Sequence, residues 1–307
     1  MKTKKDKNYF SIIVGILIIL YLIFGTNLLS DLKNSAAQVS NINNKSTTNV
    51  SIKDGNLKIY FIDVGQADSI LISNNNHNML IDAGSNGDGE KLVNYFKSLN
   101  INSFDYVVGT HPHEDHIGGM DDIIRNFDIK NYYMPEKLST SKTFEDVLDS
   151  LIEKNMQYTV PKIGDVLTLD DAKLNVIYVG DETNDANDSS IILKLTYGNN
   201  SALFTGDASK RVEKKILNYD IKSDILKVGH HGSSYSTLNE FLNKVNPKYA
   251  VIEVGKNNIY NHPTNDTLDK LSKRNIKVYR TDINGTIIFT LNGNSYNIET
   301  INTDTNG

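Results

Sequence analysis

The chain has 307 residues, no cysteine and a formal net charge of −5. This length is sufficient for one large domain with a substantial core, and the lack of cysteine excludes disulfides and thiolate metal sites. Any metal site must therefore use histidine, carboxylate, amide or water ligands. Because the acidic excess follows a lysine-rich N-terminal segment, the charge disfavours a domain that grips phosphate backbones non-specifically.

The N-terminal segment is typical of a membrane anchor. Residues 9–29 contain no charged side chain and are rich in Ile and Leu, and about 20 apolar residues span a bilayer core. Because lysines precede this run, we predict a basic cytoplasmic tail over residues 1–8, a single transmembrane anchor over 9–29 and a flexible linker over 30–56. The following domain would then lie outside the cell membrane. Cleavage as a signal peptide, near the small residues 35–37, is the alternative and would give a secreted protein.

Strands predominate at the start of the domain. Apolar runs predict strands over residues 58–63, 69–72 and 79–82, and an Asn-rich turn joins the last two as a hairpin. Residues 90–99 have the apolar spacing of a helix. A short buried strand is predicted over residues 106–108.

A cluster of metal-competent side chains follows that strand. Residues 110–119 read THPHEDHIGG and contain His111, His113, Asp115 and His116. Imidazole and carboxylate groups are ligands for zinc and similar metals. In an extended segment the first two histidines point to the same side, while Asp115 and His116 lie past a turn and face a second point. This spacing indicates two metals rather than one.

Helices and strands alternate in the rest of the domain. The predicted helices lie over residues 120–127 and 143–155, from residue 209, near residue 238 and over residues 264–273. The predicted strands lie near residues 173–179, 190–196, 202–204, 225–228, 250–254, 277–279, 286–291 and 295–301. Two successive halves of this kind are consistent with two sheets that carry helices on their outer faces.

Three polar clusters follow predicted strands, where ligand and catalytic residues often collect in α/β proteins. Asp207 ends an FTGD segment and is either a metal ligand or the N-cap of the next helix; the histidine cluster favours the ligand. His230 and His231 lie in GHHGS, and the alternative for them is a pair of solvated loop histidines. His262, in NIYNHP, is a weak signal by itself.

These motifs resemble those of the metallo-β-lactamase superfamily in type and order. More narrowly, FIDVGQADSILI, IDAG, NDSSIILKL, LKVGHHGSS and NIYNHP are similar to the extracellular C-terminal domain of ComEC-type DNA-uptake proteins. They are also similar to the catalytic domain of bacterial phosphorylcholine esterase. The resemblance extends from about residue 57 to 301. It implies an α/β fold, a four-layer αββα sandwich, over residues 57–303.

The resemblance also implies two divalent metal ions, Zn²⁺ or alternatively Mn²⁺. The implied ligands are His111, His113, Asp115, His116, Asp207 and His231. The first two histidines would hold one ion, the other residues of the set would hold the second, and Asp207 would bridge the two ions.

Three further residues are implied as catalytic, namely His230, His262 and Asp82. His230 would touch the substrate, although its role and that of His231 can be exchanged on the sequence alone. His262 or His230 would protonate the leaving group or bind a non-bridging oxygen. Asp82 would orient a ligand histidine. Asp68, in the VGQADS segment near the site mouth, has an open role, and a turn or cap residue is its alternative.

One departure from the superfamily pattern concerns the first metal. Many members supply a third histidine to it, but no histidine lies between His116 and His230. The corresponding region offers Asn187, Asp188 and Ser189. We therefore expect a first site completed by water or by amide or carboxylate oxygen, which makes Mn²⁺ plausible beside Zn²⁺.

We predict a membrane-anchored, extracytoplasmic hydrolase, best explained as a phosphodiesterase that uses a hydroxide bridging two metals. Its substrates would be phosphoesters of the cell envelope or of nucleic acid. The alternatives are a ComEC-type DNA nuclease with a basic rim, a lactone or β-lactam hydrolase, and a non-enzymatic binding module. The rim would consist of Lys210, Arg211, Lys214, Lys215 and Lys227, which otherwise form a solvated helix face.

Overall fold

The computed structural model describes residues 56–180 and 185–302. The predicted cytoplasmic tail, the transmembrane anchor and nearly all of the linker lie outside these residues. Within the described part, no helix is both long enough and apolar enough to cross a bilayer.

The order of the elements follows the sequence prediction closely. The strands are β1 (Leu57–Phe61), β2 (Ile70–Asn74), β3 (His77–Ile81), β4 (Ser103–Phe104), β5 (Tyr106–Val108), β6 (Asp128–Ile129), β7 (Tyr132–Tyr133), β8 (Tyr158–Thr159), β9 (Val166–Leu169), β10 (Ala172–Tyr178), β11 (Ile192–Tyr197), β12 (Asn200–Phe204), β13 (Ile225–Lys227), β14 (Tyr249–Ile252), β15 (Lys277–Arg280), β16 (Thr286–Leu291) and β17 (Tyr296–Ile301). The α-helices are α1 (Gly89–Ser98), α2 (Glu114–Ile117), α3 (Met120–Asn126), α4 (Lys142–Glu153), α5 (Lys210–Lys215), α6 (Asn239–Val245), α7 (Asn265–Ser272) and α8 (Thr281–Asn284).

Two large sheets organise these strands. The first has the order β17-β16-β1-β2-β3-β5-β7-β8, and the second has the order β15-β14-β13-β12-β11-β10-β9. The predicted hairpin is β2 with β3, and β16 returns late in the chain to pair with β1. In the second sheet β12, β13, β14 and β15 are parallel, so their carboxyl ends lie at one edge.

Alternation along the strands builds the layers. Ile59 and Phe61 of β1 face the second sheet, and Tyr60 packs on the opposite face under the helices. Between the sheets, the ring of Phe61 lies 6.3 Å from that of Phe204 and 6.0 Å from that of Phe289. A separate apolar cluster packs α5, α6 and α7 on the outer face of the second sheet. The predicted αββα sandwich is therefore confirmed.

Candidate metal centre

The candidate residues converge at the carboxyl ends of strands from both sheets. β5 leads directly into the histidine segment, β12 is followed by Asp207, and β13 is followed by His230 and His231. Because β12 and β13 are parallel neighbours, the loops after them leave the sheet at the same edge. Each half of the fold therefore supplies part of one site.

The histidine segment changes from extended chain to helix within the motif. His113 is extended, with φ −79° and ψ 150°, and Asp115 and His116 lie on α2. Nε2 of His111 and Nδ1 of His113 are 3.0 Å apart, so these two rings do point to the same side. Gly118 makes the close approach possible, because a Cβ there would lie 2.2 Å from the backbone N of Asn86.

Four side chains form a compact group with the chemistry of a cation site. Ligand atoms of Asp115, His116, Asp207 and His231 all lie within 4.8 Å of one another. Nε2 of His116 is 3.3 Å from Oδ1 of Asp207, and both atoms are buried without a hydrogen-bond partner. Nε2 of His231 lies 3.3 Å from Oδ2 of Asp115. Buried imidazole nitrogens and carboxylate oxygens in this arrangement fit a divalent transition metal.

Asp207 does not act as a helix cap. The hydroxyl of Ser209 accepts a hydrogen bond from the backbone N of Arg211 and is the N-cap of α5. The backbone N of Asp207 donates to Oγ of Ser190. Its carboxylate is therefore left to face the histidines.

Asp82 lies behind His116 rather than in the four-residue group. Its Oδ2 is 2.8 Å from Nδ1 of His116 and accepts a hydrogen bond from the hydroxyl of Thr110 at 2.7 Å. Its Oδ1 accepts from the backbone N of Thr110 at 2.8 Å. These contacts fix the imidazole by one nitrogen and leave the other directed at Asp207.

The region that would replace a third histidine does not offer a free carboxylate. Asp188 is buried, and its Oδ2 accepts a hydrogen bond from Nε of Arg211 at 2.6 Å. Its Oδ1 accepts from the backbone N of Ser209. Within residues 56–180 and 185–302, His111 and His113 belong to no group of three ligand atoms as compact as the four-residue group. The two halves of the site are thus unequal.

An open cavity of about 520 Å³ lies over the group. His230 and His262 line it with ring centroids 5.7 Å apart. Tyr260 lies nearly parallel to His262 at 5.8 Å and is 61% exposed. Gln66 also lines the cavity and accepts a hydrogen bond from the backbone N of Gly255. A substrate can therefore reach the group past two imidazoles and an aromatic ring.

Comparison with known proteins decides the family. Residues 62–255 match the family model described as the metallo-β-lactamase superfamily. The chain belongs to this superfamily. Its members typically bind two divalent metal ions, and the fold with its His/Asp cluster places this chain among their metal-dependent hydrolases.

Two curated relatives are competence proteins. ComE operon protein 3 of Bacillus subtilis is 34% identical over 251 residues, and competence protein ComA of Neisseria gonorrhoeae is 28% identical over 236 residues. Each alignment covers 75% of this chain, but 32% and 31% of the respective relative. The chain thus spans about a third of the length of the curated relatives that it matches. The resemblance to ComEC-type proteins is confirmed.

A solved structure supports the same fold. The metallo-β-lactamase fold protein YhfI of Bacillus subtilis superposes with a TM-score of 0.54 at 12% sequence identity. The superposition covers 77% of this chain and 100% of that chain.

Electrostatics of the metallo-β-lactamase site favour a bound cation. Burial opposes a charge on His116, yet Asp207 and Asp82 raise its pKa well above the usual value. Burial likewise opposes a charge on Asp207, but His116 and His231 hold its pKa well below the usual range. Burial lowers the pKa of His111, and the neighbouring His116 lowers it further. Asp207 thus remains ionised and His111 remains neutral, as metal ligands must be. A cation bound by His116 would displace the proton that the surrounding carboxylates otherwise hold on this ring.

The loop that carries the second histidine pair has a strained backbone. His230 and His231 both adopt the left-handed region, with φ of 53° and 50°. This region costs on the order of 1–3 kcal/mol for a residue other than glycine. Gly232 follows with φ 82°, and a Cβ there would lie 2.5 Å from Cβ of Pro263. The surrounding contacts therefore hold the backbone of both histidines in an unfavourable conformation.

A buried carboxylate of this metallo-β-lactamase domain anchors the same loop further along. Glu213 of α5 is 2% exposed, and its two oxygens accept hydrogen bonds from the backbone N atoms of Thr237 and Leu238 at 2.6 and 2.7 Å. Burial raises the pKa of Glu213 to about 7. Between about pH 4.3 and 7, Glu213 is therefore protonated in the folded protein but ionised in the unfolded chain, where the pKa of a glutamate is about 4.3.

This shift predicts a pH dependence of stability. We expect the contribution of Glu213 to be present in full below about pH 4.3 and to be lost as the pH rises through 7. The loss is about 4 kcal/mol in total, of which about 3 kcal/mol falls between pH 4.5 and 8. Urea unfolding of metal-free wild type and Glu213→Gln at pH 4.5 and 8 measures it. The unfolding free energy of wild type, relative to that of the variant, should fall by about 3 kcal/mol from pH 4.5 to pH 8. Identical pH slopes for both proteins would contradict the assignment.

The predicted basic rim is only partly present on the surface. One of its five residues is buried, and the charges of two others are engaged by neighbouring side chains. Lys227 is 1% exposed and pairs with the buried Asp68. Arg211 is bonded to Asp188, and Nζ of Lys215 lies over the ring of Tyr178. Lys227 could have been recognised, because a parallel strand covered on both faces has no solvent-exposed side.

Proposed function

We propose that this chain is a metal-dependent phosphodiesterase, anchored in the cell membrane with its catalytic domain on the outer side. The anchor is proposed from the uncharged residues 9–29 and the lysines before them; secretion after signal cleavage is its alternative. The catalytic domain rests on superfamily membership and on the four-residue group. Phosphoesters of the cell envelope or of nucleic acid are the proposed substrates.

The proposed ligand roles are supported by the geometry of the four-residue group. Asp115, His116, Asp207 and His231 would hold one ion, and His111 and His113 would hold a second that shares Asp207. When bound, Zn²⁺ or Mn²⁺ lowers the pKa of water and neutralises charge on phosphoryl oxygens. Mn²⁺ remains a candidate because few strong ligands surround the first pair of histidines.

The observation that carries the phosphodiester assignment is the pair of imidazoles beside the group. His230 and His262 face the same cavity, and neither ring belongs to the four-residue group, so both would be available to donate an N–H to a bound substrate. A phosphoryl group builds negative charge on several oxygens in the transition state, and preorganised donors stabilise it. Hydrolysis of a lactone or β-lactam develops charge on a single oxygen, and it does not require two additional donors beside the metal ligands.

A substrate panel tests this proposal. Full-length protein in detergent is assayed with Zn²⁺ or Mn²⁺ against bis-p-nitrophenyl phosphate, p-nitrophenyl phosphorylcholine, single-stranded and plasmid DNA, and nitrocefin. We expect turnover of at least one phosphodiester, loss of that turnover on chelation, and none with nitrocefin. Turnover of nitrocefin alone would contradict the phosphodiesterase.

A DNA nuclease is the second candidate function. The similarity to competence proteins supports it, and so does Tyr260, since an exposed aromatic ring at a cavity mouth can stack on a base. The weakened basic rim opposes it. In the same panel, DNA cleavage that falls steeply with salt concentration would favour the nuclease.

A further inference from the structure

Three ionisable side chains are buried directly behind the proposed metal centre. Asp68 and Lys227 are each 1% exposed, and Glu253 is fully buried. Asp68 lies between β1 and β2, Lys227 ends β13, and Glu253 follows β14. Charged side chains are rarely buried to this extent unless they are paired, so their position needs an explanation.

Asp68 contacts three of the four residues of the group. Its carboxylate is in direct contact with Nζ of Lys227. The same carboxylate lies 3.3 Å from Nδ1 of His231 and 3.8 Å from Nδ1 of His116. Its backbone N donates a hydrogen bond to the carbonyl of Asp115 at 3.0 Å.

Both histidines are held by the nitrogen that faces away from the cavity. Nδ1 of His231 lies 2.9 Å from the carbonyl of Glu253, while its Nε2 points to Asp115. Nδ1 of His116 contacts Asp82, and its Nε2 points to Asp207. Contacts of this kind fix the tautomer and the orientation of a ligand imidazole.

We propose that Asp68 and Lys227 act as one positioning unit for the divalent cation of the four-residue group. Lys227 compensates the buried charge of Asp68 and fixes its carboxylate. The carboxylate of Asp68 in turn packs against the rear edges of His116 and His231, beside the groups that bond their Nδ1 atoms, and its backbone N bonds the start of α2. The pair thereby sets the spacing of the ligand atoms without touching substrate.

This inference rests on His116 and His231 being ligands, but not on the identity of the substrate. Its test is therefore a calorimetric measurement of Zn²⁺ affinity, made on the full-length protein with a competing chelator. The proteins compared are wild type, Asp68→Asn, Lys227→Met and the double variant. Both substitutions nearly preserve side-chain volume. Far-UV circular dichroism and thermal unfolding of the metal-free proteins establish that they are folded.

We expect each single variant to bind Zn²⁺ about 10- to 100-fold more weakly. The double variant should bind no more weakly than the weaker single variant, because partners that act as a unit are not additive. Lys194→Met is the matched control. Lys194 is 9% exposed in β11 of the same sheet and pairs with Asp220, so its loss should affect stability and leave Zn²⁺ affinity within about twofold.

Three results would overturn the proposal. Wild-type affinity in folded Asp68→Asn would show that the pair only fills the interior, and this variant decides the question even if Lys227→Met does not fold. Tighter binding by Lys227→Met would show that the lysine merely repels the cation. Losses that multiply in the double variant would show independent roles. Absence of phosphodiester turnover, by contrast, would leave these affinities unaffected.

Discussion

Replacing Asp207 by asparagine is expected to lower kcat/KM on the order of 10³-fold, which corresponds to about 4 kcal/mol of transition-state stabilisation. Asp207 is buried, and its carboxylate lies 3.3 Å from His116, 3.6 Å from His231 and 3.7 Å from His230. It is the only carboxylate that contacts all three rings among the described residues. Asparagine has nearly the same shape but lacks the negative charge that attracts and shares a cation.

The measurement is kcat/KM on the best phosphodiester of the panel, together with metal content. Asp224→Asn is the matched control, because Asp224 precedes β13 at the opposite edge of the sheet and is bonded to Ser201 and Lys248. The control should retain activity within about threefold. Near-normal kcat/KM in a fully metal-loaded Asp207→Asn protein would exclude the proposed shared ligand.

Replacing His262 by alanine is expected to lower kcat/KM about 10²-fold, by the same factor for aryl and alkyl leaving groups. Burial lowers the pKa of His262, and the neighbouring His230 and His231 lower it further. A neutral imidazole binds a phosphoryl oxygen through its N–H but is a poor proton donor to the departing oxygen. The quality of the leaving group should therefore not matter.

The comparison uses bis-p-nitrophenyl phosphate and a dialkyl or dinucleotide phosphodiester. His77→Ala is the control, since His77 is partly exposed and pairs with Asp105 away from the cavity. A loss confined to the alkyl leaving group would show instead that His262 acts as a general acid.

Local pattern was sufficient to predict most of the elements and to single out the four side chains that lie together in the group. The strand over residues 106–108 and the helix that begins at Met120 lie where apolar spacing predicts them. The histidine spacing also predicts the shared orientation of His111 and His113. Helices α2 and α8 and the two-residue strands were not predicted, because such short segments do not complete a hydrophobic period. Strand β9 was also not predicted, although its side chains alternate in burial.

Contacts between distant segments could not be predicted in the same way. The ion pair of Asp68 and Lys227 joins the loop between β1 and β2 to a strand of the second sheet, and the return of β16 to β1 depends on the packing of the whole domain. Nothing in the local sequence distinguishes Asp68 from a turn residue. Likewise, the engagement of Asp188 by Arg211 rather than by a metal depends on where α5 docks.

The left-handed backbone of His230 and His231 has a consequence for any attempt to make this domain more robust. Glycine at either position would relieve the conformational penalty. A redesign guided by stability alone would therefore replace these two residues first. It would also remove the imidazoles from the cavity. Stabilising substitutions at these two positions would therefore be expected to reduce activity. Substitutions intended to stabilise the domain are better placed in the helices that cover the outer faces of the sheets.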